Sequence, residues 1–291
     1  MAQSLKSVAT PSVRDPWTCP TCNRSIATRY CPTCGENPLR ASDLSLRGFL
    51  YQTAYAFLSL DGPLFRSLRC LLTRPGALTV AYIKGQRKPF TLPLPLFLVA
   101  NVLFFAVQSL VGAKIFSTPL DAHLHGYFWS PLARSLVTHH LEARRTTLEL
   151  YAPVFDQAVA LNAKSLIVLM VLPFAAIPPV VFFRRPRPFV VHLVFALHFY
   201  AFLLLLFCIA LAAVGVDFWL GGRGLESESF DHALSMIELA ACAVYLYIAT
   251  GTVYGAKGMT RVLTVVPLVM AAAGIVLGYR FVVMLITLYS T

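Results

Sequence analysis

Five stretches of the chain are nearly unbroken apolar runs: Pro93 to Gly112, Ser165 to Phe183, Phe189 to Val216, His232 to Tyr254 and Val262 to Tyr289. Each approaches or exceeds the roughly 20 residues with which a helix covers the hydrocarbon core of a bilayer. The pattern predicts five membrane-spanning helices, the third and fifth long enough to tilt or kink. Ahead of them, from Leu46 to Leu72, apolar positions and arginines interleave, and the turn Asp61-Gly62-Pro63 divides that stretch into two helices. Leu64, Phe65, Leu68, Leu71 and Leu72 recur at helical spacing while Arg66 and Arg69 lie off the stripe. A helix lying in the membrane interface and a helix docked on the bundle satisfy that periodicity equally. Residues 113–164 read as an external loop holding a short helix, best placed from Arg134 to Leu150, with Pro153 opening the helix that becomes the second span.

Composition agrees with a membrane domain. Hydrophobic residues make up 57% of the 291 positions and charged residues only 13%, and mean hydropathy is +0.69, far more apolar than an average soluble chain. The positive charges fall near one set of span ends. Arg66, Arg69, Arg74, Lys84, Arg87 and Lys88 precede the first span, Arg184, Arg185 and Arg187 join the second to the third, and Lys257 and Arg261 join the fourth to the fifth. The turn from Asp217 to Asp231 sets Asp217, Glu226, Glu228 and Asp231 against a single Arg223. By the positive-inside rule the N-terminus is cytoplasmic and the C-terminus external. The net charge of +11 raises the question of nucleic acid. However, the 12 Lys and Arg up to Leu92, against 4 Asp and Glu, are spread along membrane-proximal sequence, which suits anionic lipid headgroups better.

Near the N-terminus stand Cys19, Cys22, Cys31 and Cys34, in the spacing C-x2-C-x8-C-x2-C. Two thiolates from each tight turn can close a tetrahedral four-sulfur site without help from a hydrophobic core. Asn23 and Gly35 follow the second cysteine of each pair and suit the left-handed backbone such a knuckle requires. The connection from Asn23 to Tyr30 leaves room for little more than a hairpin. Structural Zn2+ is the expected ion, and iron suits the same ligands. The polar, proline-punctuated first residues hold no cleavable secretory signal, so the thiols are expected in a reducing compartment. Cys70, Cys208 and Cys242 lie in apolar sequence and read as packing residues.

Four stretches resemble an uncharacterised bacterial inner-membrane protein family with an N-terminal zinc ribbon, a domain-of-unknown-function family. They are CPTCNRSIATRYCPTCGEN, LLTRPGALTVAYIKGQRKPFTLPLPLFLVANVLFF, FRRPRPFVVHLVFALHFYAFLLL and YLYIATGTVYG, and the middle two are the most specific. That family often places an acidic residue before the histidine that is His192 here, where this chain has Val191. A proton relay resting on such a pair is weakened accordingly. The resemblance implies an inner-membrane protein with a cytoplasmic knuckle and lends no activity.

Polar groups inside spans are costly and therefore candidates for function: Asn101, His192, His198, Glu238 and Arg280. Counted by helix rise, Glu238 and Arg280 lie at one level near the outer surface, where they can pair. Asn101, His192 and His198 lie nearer the inner side as a second group. His192 and His198 are six residues apart, about 240° around a helix, so they cannot share one partner. Hydrogen-bonded packing histidines and a structural or snorkelling Arg280 are the plainer alternatives. In the external loop His123, His125, His139 and His140, with Asp121 and Glu142, match no metalloenzyme spacing and read as a solvated loop. Phosphate-cradling glycine loops and known catalytic motifs are not found, which points away from an enzyme.

The expected organisation is an all-α integral membrane protein: a disordered tail over 1–16, a zinc ribbon over 17–38, interfacial helices over 39–92, and a five-helix bundle over 93–291. The expected role is that of a scaffold or sensor whose ribbon docks a cytoplasmic or membrane protein, with homo-oligomer formation open. A transporter or lipid-handling protein is the alternative.

Overall fold

The computed structural model describes residues 16–28, 30–38, 45–46, 62–112, 115–184, 186–222, 224 and 227–291. All but Pro16 of the expected tail, the interfacial stretch between Arg47 and Asp61, and Arg185 lie outside them. Two short strands, β1 Trp17–Thr18 and β2 Ser25–Ile26, pair antiparallel with Trp17 opposite Ile26. Helices α1 Pro63–Thr73 and α2 Ala77–Ile83 lead into α3 Pro93–Val111. Then come α4 Leu120–His125, α5 Ser130–Arg144 and α6 Leu148–Leu166. A 3-10 turn, Ile167–Met170, and two short helices, α7 Val171–Ala175 and α8 Ile177–Val181, continue the line of α6. Three long helices close the chain: α9 Phe189–Trp219, α10 Glu228–Tyr254 and α11 Gly258–Ser290.

Five segments are long and apolar enough to cross a membrane: α3, the composite Leu148–Val181, α9, α10 and α11. The chain is thus a mostly helical, multi-pass membrane protein with a four-cysteine cluster near its N-terminus. The second span departs from the hydropathy pattern. It starts at Leu148, well inside the stretch expected to be external loop, and Pro153 sits within α6 instead of opening it. Polar residues mask its first half, and tertiary partners satisfy them: Asp156 accepts the Leu120 backbone N–H at 2.8 Å, and the Asn162 amide donates to the Thr287 hydroxyl at 3.0 Å. Its second half is broken where Pro173, Pro178 and Pro179 withhold backbone N–H groups. The helix expected from Arg134 to Leu150 is likewise divided, because Arg145 adopts a left-handed conformation that ends α5.

Helix α9 is the axis of the bundle. It packs along α3 over most of its length and also meets α2, α7, α8 and α10. In its most apolar window 61% of residues are buried, against 28% in α10 and in α11. The last two helices are therefore peripheral, and Met236, Ile237, Leu263, Val266 and Met270 point outward where hydrocarbon would surround them. Two features seat the segment before the first span. Gly76 turns the chain with φ +82°, and a Cβ there would stand 3.0 Å from Thr252 and 3.1 Å from the Ala249 carbonyl, so only glycine lets α2 close on α10. In α1, Ser67 and Leu71 are buried while Phe65 remains 77% exposed. One face of α1 is docked on the bundle and the other is exposed.

Candidate metal centre and polar sites of the bundle

Both cysteine pairs are closed by the same backbone pattern. The N–H of Asn23 donates to Cys19 O and that of Gly35 to Cys31 O, each at 2.8 Å, while Cys19 N–H meets Arg24 O and Cys31 N–H meets Glu36 O. Asn23 at φ +54° and Gly35 at +71° provide the left-handed step just after the second cysteine. The hairpin forms differently from the reading of the sequence. Its turn is the first knuckle itself, bracketed by β1 and β2, because the Cys19–Arg24 bond draws the strands together ahead of the Asn23 to Tyr30 connection.

All four sulfurs lie within 4.8 Å of one another, with Cys19 and Cys34 at 3.6 Å. Bonds of about 2.3 Å to a tetrahedral ion set sulfurs about 3.8 Å apart, so the residues present fit a thiophilic divalent ion. Burial pushes the Cys34 thiol up to about 12, and its three thiol neighbours add to this. Burial also raises Cys31, but the backbone N–H groups of Cys34 and Thr33 outweigh it and hold that thiol down to about 7. A cation that displaces the thiol protons relieves the crowding. Four protein sulfurs would fill the coordination of a tetrahedral ion and leave no open position for substrate.

The module does not stand free of the bundle. Glu36, only 3% exposed, accepts the Thr21 hydroxyl at 3.0 Å and the backbone N–H groups of Arg87 and Lys88 at 3.2 and 3.3 Å. The Gln86 amide donates to the Pro20 carbonyl within the first knuckle. The connection from Gln86 to Leu92 therefore carries the ribbon on one side. On its other side, with Leu78 and Tyr82 of α2, it covers a cavity of 10 Å³ that ends on His198. That space admits one water at most. Neither Glu36 nor Gln86 stood out in the sequence. The only signal was an acidic residue directly after a knuckle glycine and a neutral amide inside a basic run.

The intramembrane candidates separate into paired and unpaired groups. His198 is buried with its Nδ1 2.9 Å from the Thr79 hydroxyl, and His192 Nδ1 lies 2.9 Å from the Tyr254 hydroxyl, the two rings stacked at 5.6 Å. Asn101 is buried on α3, and among the described residues no hydrogen bond joins it to either histidine. These three do not converge on one site. Glu238 and Arg280 line one cleft, but among the described residues no ion pair joins them. Arg280 Nη1 instead donates to the Tyr127 hydroxyl at 2.9 Å. That tyrosine follows α4, a partner that sequence spacing could not supply.

The basic residues ring the end of the bundle that carries the ribbon. Arg66, Arg69, Arg74, Lys84, Lys88, Arg184 and Arg187 are exposed, and Arg87 is half-buried with its guanidinium 5.7 Å from the Tyr82 ring centre. Of the loop histidines, His123 is fully buried and accepts the Trp129 indole N–H at 3.2 Å, whereas His125 contacts Asp121 at 3.0 Å. His123 thus leaves the solvated set. Among the described residues the four cysteines are the one group arranged to hold a metal.

Residues 61–105 match a family model described as a protein of unknown function (DUF3667). No curated protein and no solved structure matches the chain. The matched stretch contains α1, α2, the Gln86 to Leu92 connection and most of α3. It therefore includes the backbone that Glu36 grips and the hydroxyl that His198 meets.

Proposed function

We propose that the chain is a membrane scaffold or sensor whose N-terminal zinc ribbon docks a protein partner and passes its state to the bundle through the Gln86 to Leu92 connection. The observation that carries this reading is the buried Glu36 carboxylate, which joins the knuckles to the backbone of Arg87 and Lys88. A closed four-sulfur set suits zinc, a redox-inert tetrahedral ion, and gives the ribbon a folding role instead of a catalytic one. The setting we assign is a bacterial inner membrane, with the N-terminus in the cytosol, where thiols stay reduced, and the C-terminus outside. The exposed arginines and lysines around the ribbon rest on anionic headgroups, each worth about 1 kcal/mol near such a surface. The partner is a cytoplasmic or membrane protein, a second copy of the chain included.

Affinity capture from native membranes tests this reading, comparing the intact chain with a Cys19→Ser, Cys31→Ser variant checked for metal content and insertion. A partner lost together with the metal supports it. A partner list unchanged by metal loss refutes the docking role. A second reading, a lipid-handling protein, is favoured by the charged cleft at the opposite end of the bundle.

A further inference from the structure

Where α9, α10 and α11 meet, at the end of the bundle opposite the ribbon, lies a cleft of 240 Å³. Its floor is apolar and buried, formed by Phe207, Leu211 and Val214 of α9. Its polar wall comes from two other helices. Asp231, Ser235 and Glu238 recur at i, i+4 and i+7 and so share one face of α10, and Arg280 faces them from α11. Next to the cleft, Met236, Ile237 and Leu239 point outward from α10, so the opening gives onto the surface that hydrocarbon covers.

Among the described residues the charges in this cleft are only partly taken up by the fold. Arg280 uses Nη1 on Tyr127, while its Nε is buried without a hydrogen-bond partner. Among the described residues neither the Asp231 nor the Glu238 side chain makes a hydrogen bond or an ion pair. A buried guanidinium N–H without a partner is costly, and two half-buried carboxylates share its cleft, so the lining suits a ligand bearing both signs. Depth narrows the choice. Helix α11 has 33 residues, about 50 Å of helix against a core of about 30 Å, so about 10 Å stands clear at each end. Arg280 lies about 15 Å from the end of its helix, hence about 5 Å inside the hydrocarbon edge, and Asp231 lies further outward. From just inside that edge the long Arg280 side chain can reach outward to a phospholipid phosphate, whose glycerol backbone lies immediately outside it.

We propose that the cleft binds a phospholipid with a primary-amine headgroup. Arg280 meets the phosphate, Asp231 and Glu238 receive the ammonium, and the acyl chains lie against Phe207, Leu211 and Val214. A primary ammonium donates hydrogen bonds to carboxylates, which a quaternary choline cannot do. Choline sites use a cage of aromatic rings, and Phe207 alone lines this cleft. A headgroup with net negative charge meets two carboxylates against one guanidinium and is disfavoured. The inference rests on the lipid-handling reading for the class of ligand, not for any movement of it.

The test uses the full chain in detergent with equal amounts of dioleoyl phosphatidylethanolamine, phosphatidylcholine and phosphatidylglycerol, the retained lipid counted by native mass spectrometry. Phosphatidylethanolamine should be retained about tenfold over the other two, with that preference lost in Glu238→Gln and reduced in Asp231→Asn. Arg280→Gln should lower retention of all three lipids, since each presents phosphate. Melting curves identify variants that fold, and Asp231→Asn carries the comparison if Glu238→Gln does not. Equal retention of the three lipids, or an unchanged preference in the folded carboxylate variants, overturns the proposal. So does full displacement by free phosphoethanolamine at matched concentration, which would assign the site to a soluble amine-phosphate. Selective retention without transfer between vesicles keeps the site and removes the lipid-handling reading.

Discussion

Three polar groups at the ribbon end and three in the cleft at the far end are treated in opposite ways. At the ribbon end they are matched: Glu36 has three donors, His198 meets Thr79 and His192 meets Tyr254. At the far end Glu238 and Asp231 line a cleft without such partners, and Arg280 keeps a buried Nε unpaired. A matched polar group inside low-dielectric surroundings fixes the position of the elements it joins, whereas an unmatched one raises the free energy of the empty state until something binds. The contacts at the ribbon end thus fix the elements they join, while the cleft at the far end leaves polar groups open.

The largest change expected at the ribbon end comes from removing the metal. Cys19→Ser with Cys31→Ser should abolish metal binding and unfold the module, since a structural ion of this kind contributes on the order of 10 kcal/mol to folding. Elemental analysis and limited proteolysis between Trp17 and Pro38 check it, while the helical content of the bundle should remain.

Thr79→Val leaves the His198 Nδ1 buried without its partner and should lower stability by about 2 kcal/mol. The loss should appear as a drop in melting temperature larger than that of Thr73→Val on exposed sequence. An equal drop for the two would break the contrast between matched and exposed sites.

Acid should act at the far end through His123. Burial, with Arg280 nearby, depresses His123 from its ordinary 6.5 to about 4. An unfolded chain then takes up a proton below about 6.5 that the folded chain refuses until about 4, so stability present above that window is lost progressively as pH falls through it. The effect is on the order of 3 kcal/mol. Melting temperature followed across the window, with His123→Phe as a pH-insensitive reference, reads it out. A variant as acid-sensitive as the parent would assign the loss to another group.

The smallest expected effect sharpens the comparison most. Glu36→Gln keeps the shape of the clamp and removes its charge, so it should cost about 1 kcal/mol and leave the metal bound. Hydrogen exchange at the Arg87 and Lys88 amides should speed up with little change elsewhere. Unaltered exchange at those two amides would show that the ribbon and the connection are not held by this carboxylate.

Much of the architecture was legible because it depends on local spacing. Four thiols at C-x2-C-x8-C-x2-C need only two tight turns, and Asn23 and Gly35 marked the left-handed positions of both. Runs of about 20 apolar residues carry their own reason to be helical, since every backbone group must be paired inside a bilayer. The second span was the exception. Asp156 and Asn162 broke its apolar pattern, and only contacts from Leu120 and Thr287, 36 and 125 residues away, make them acceptable within a packed helix.

The site residues divide along the same line. The sequence by itself determined which atoms can hold a metal and which costly polar groups sit at membrane depth. Tertiary structure alone decided that His198 ends on Thr79, that Arg280 turns to Tyr127 and away from Glu238, and that the ribbon is gripped through Glu36. Spacing along one helix reports the face and height of a side chain, but partnership depends on the approach of another element, which is set by packing across the whole bundle.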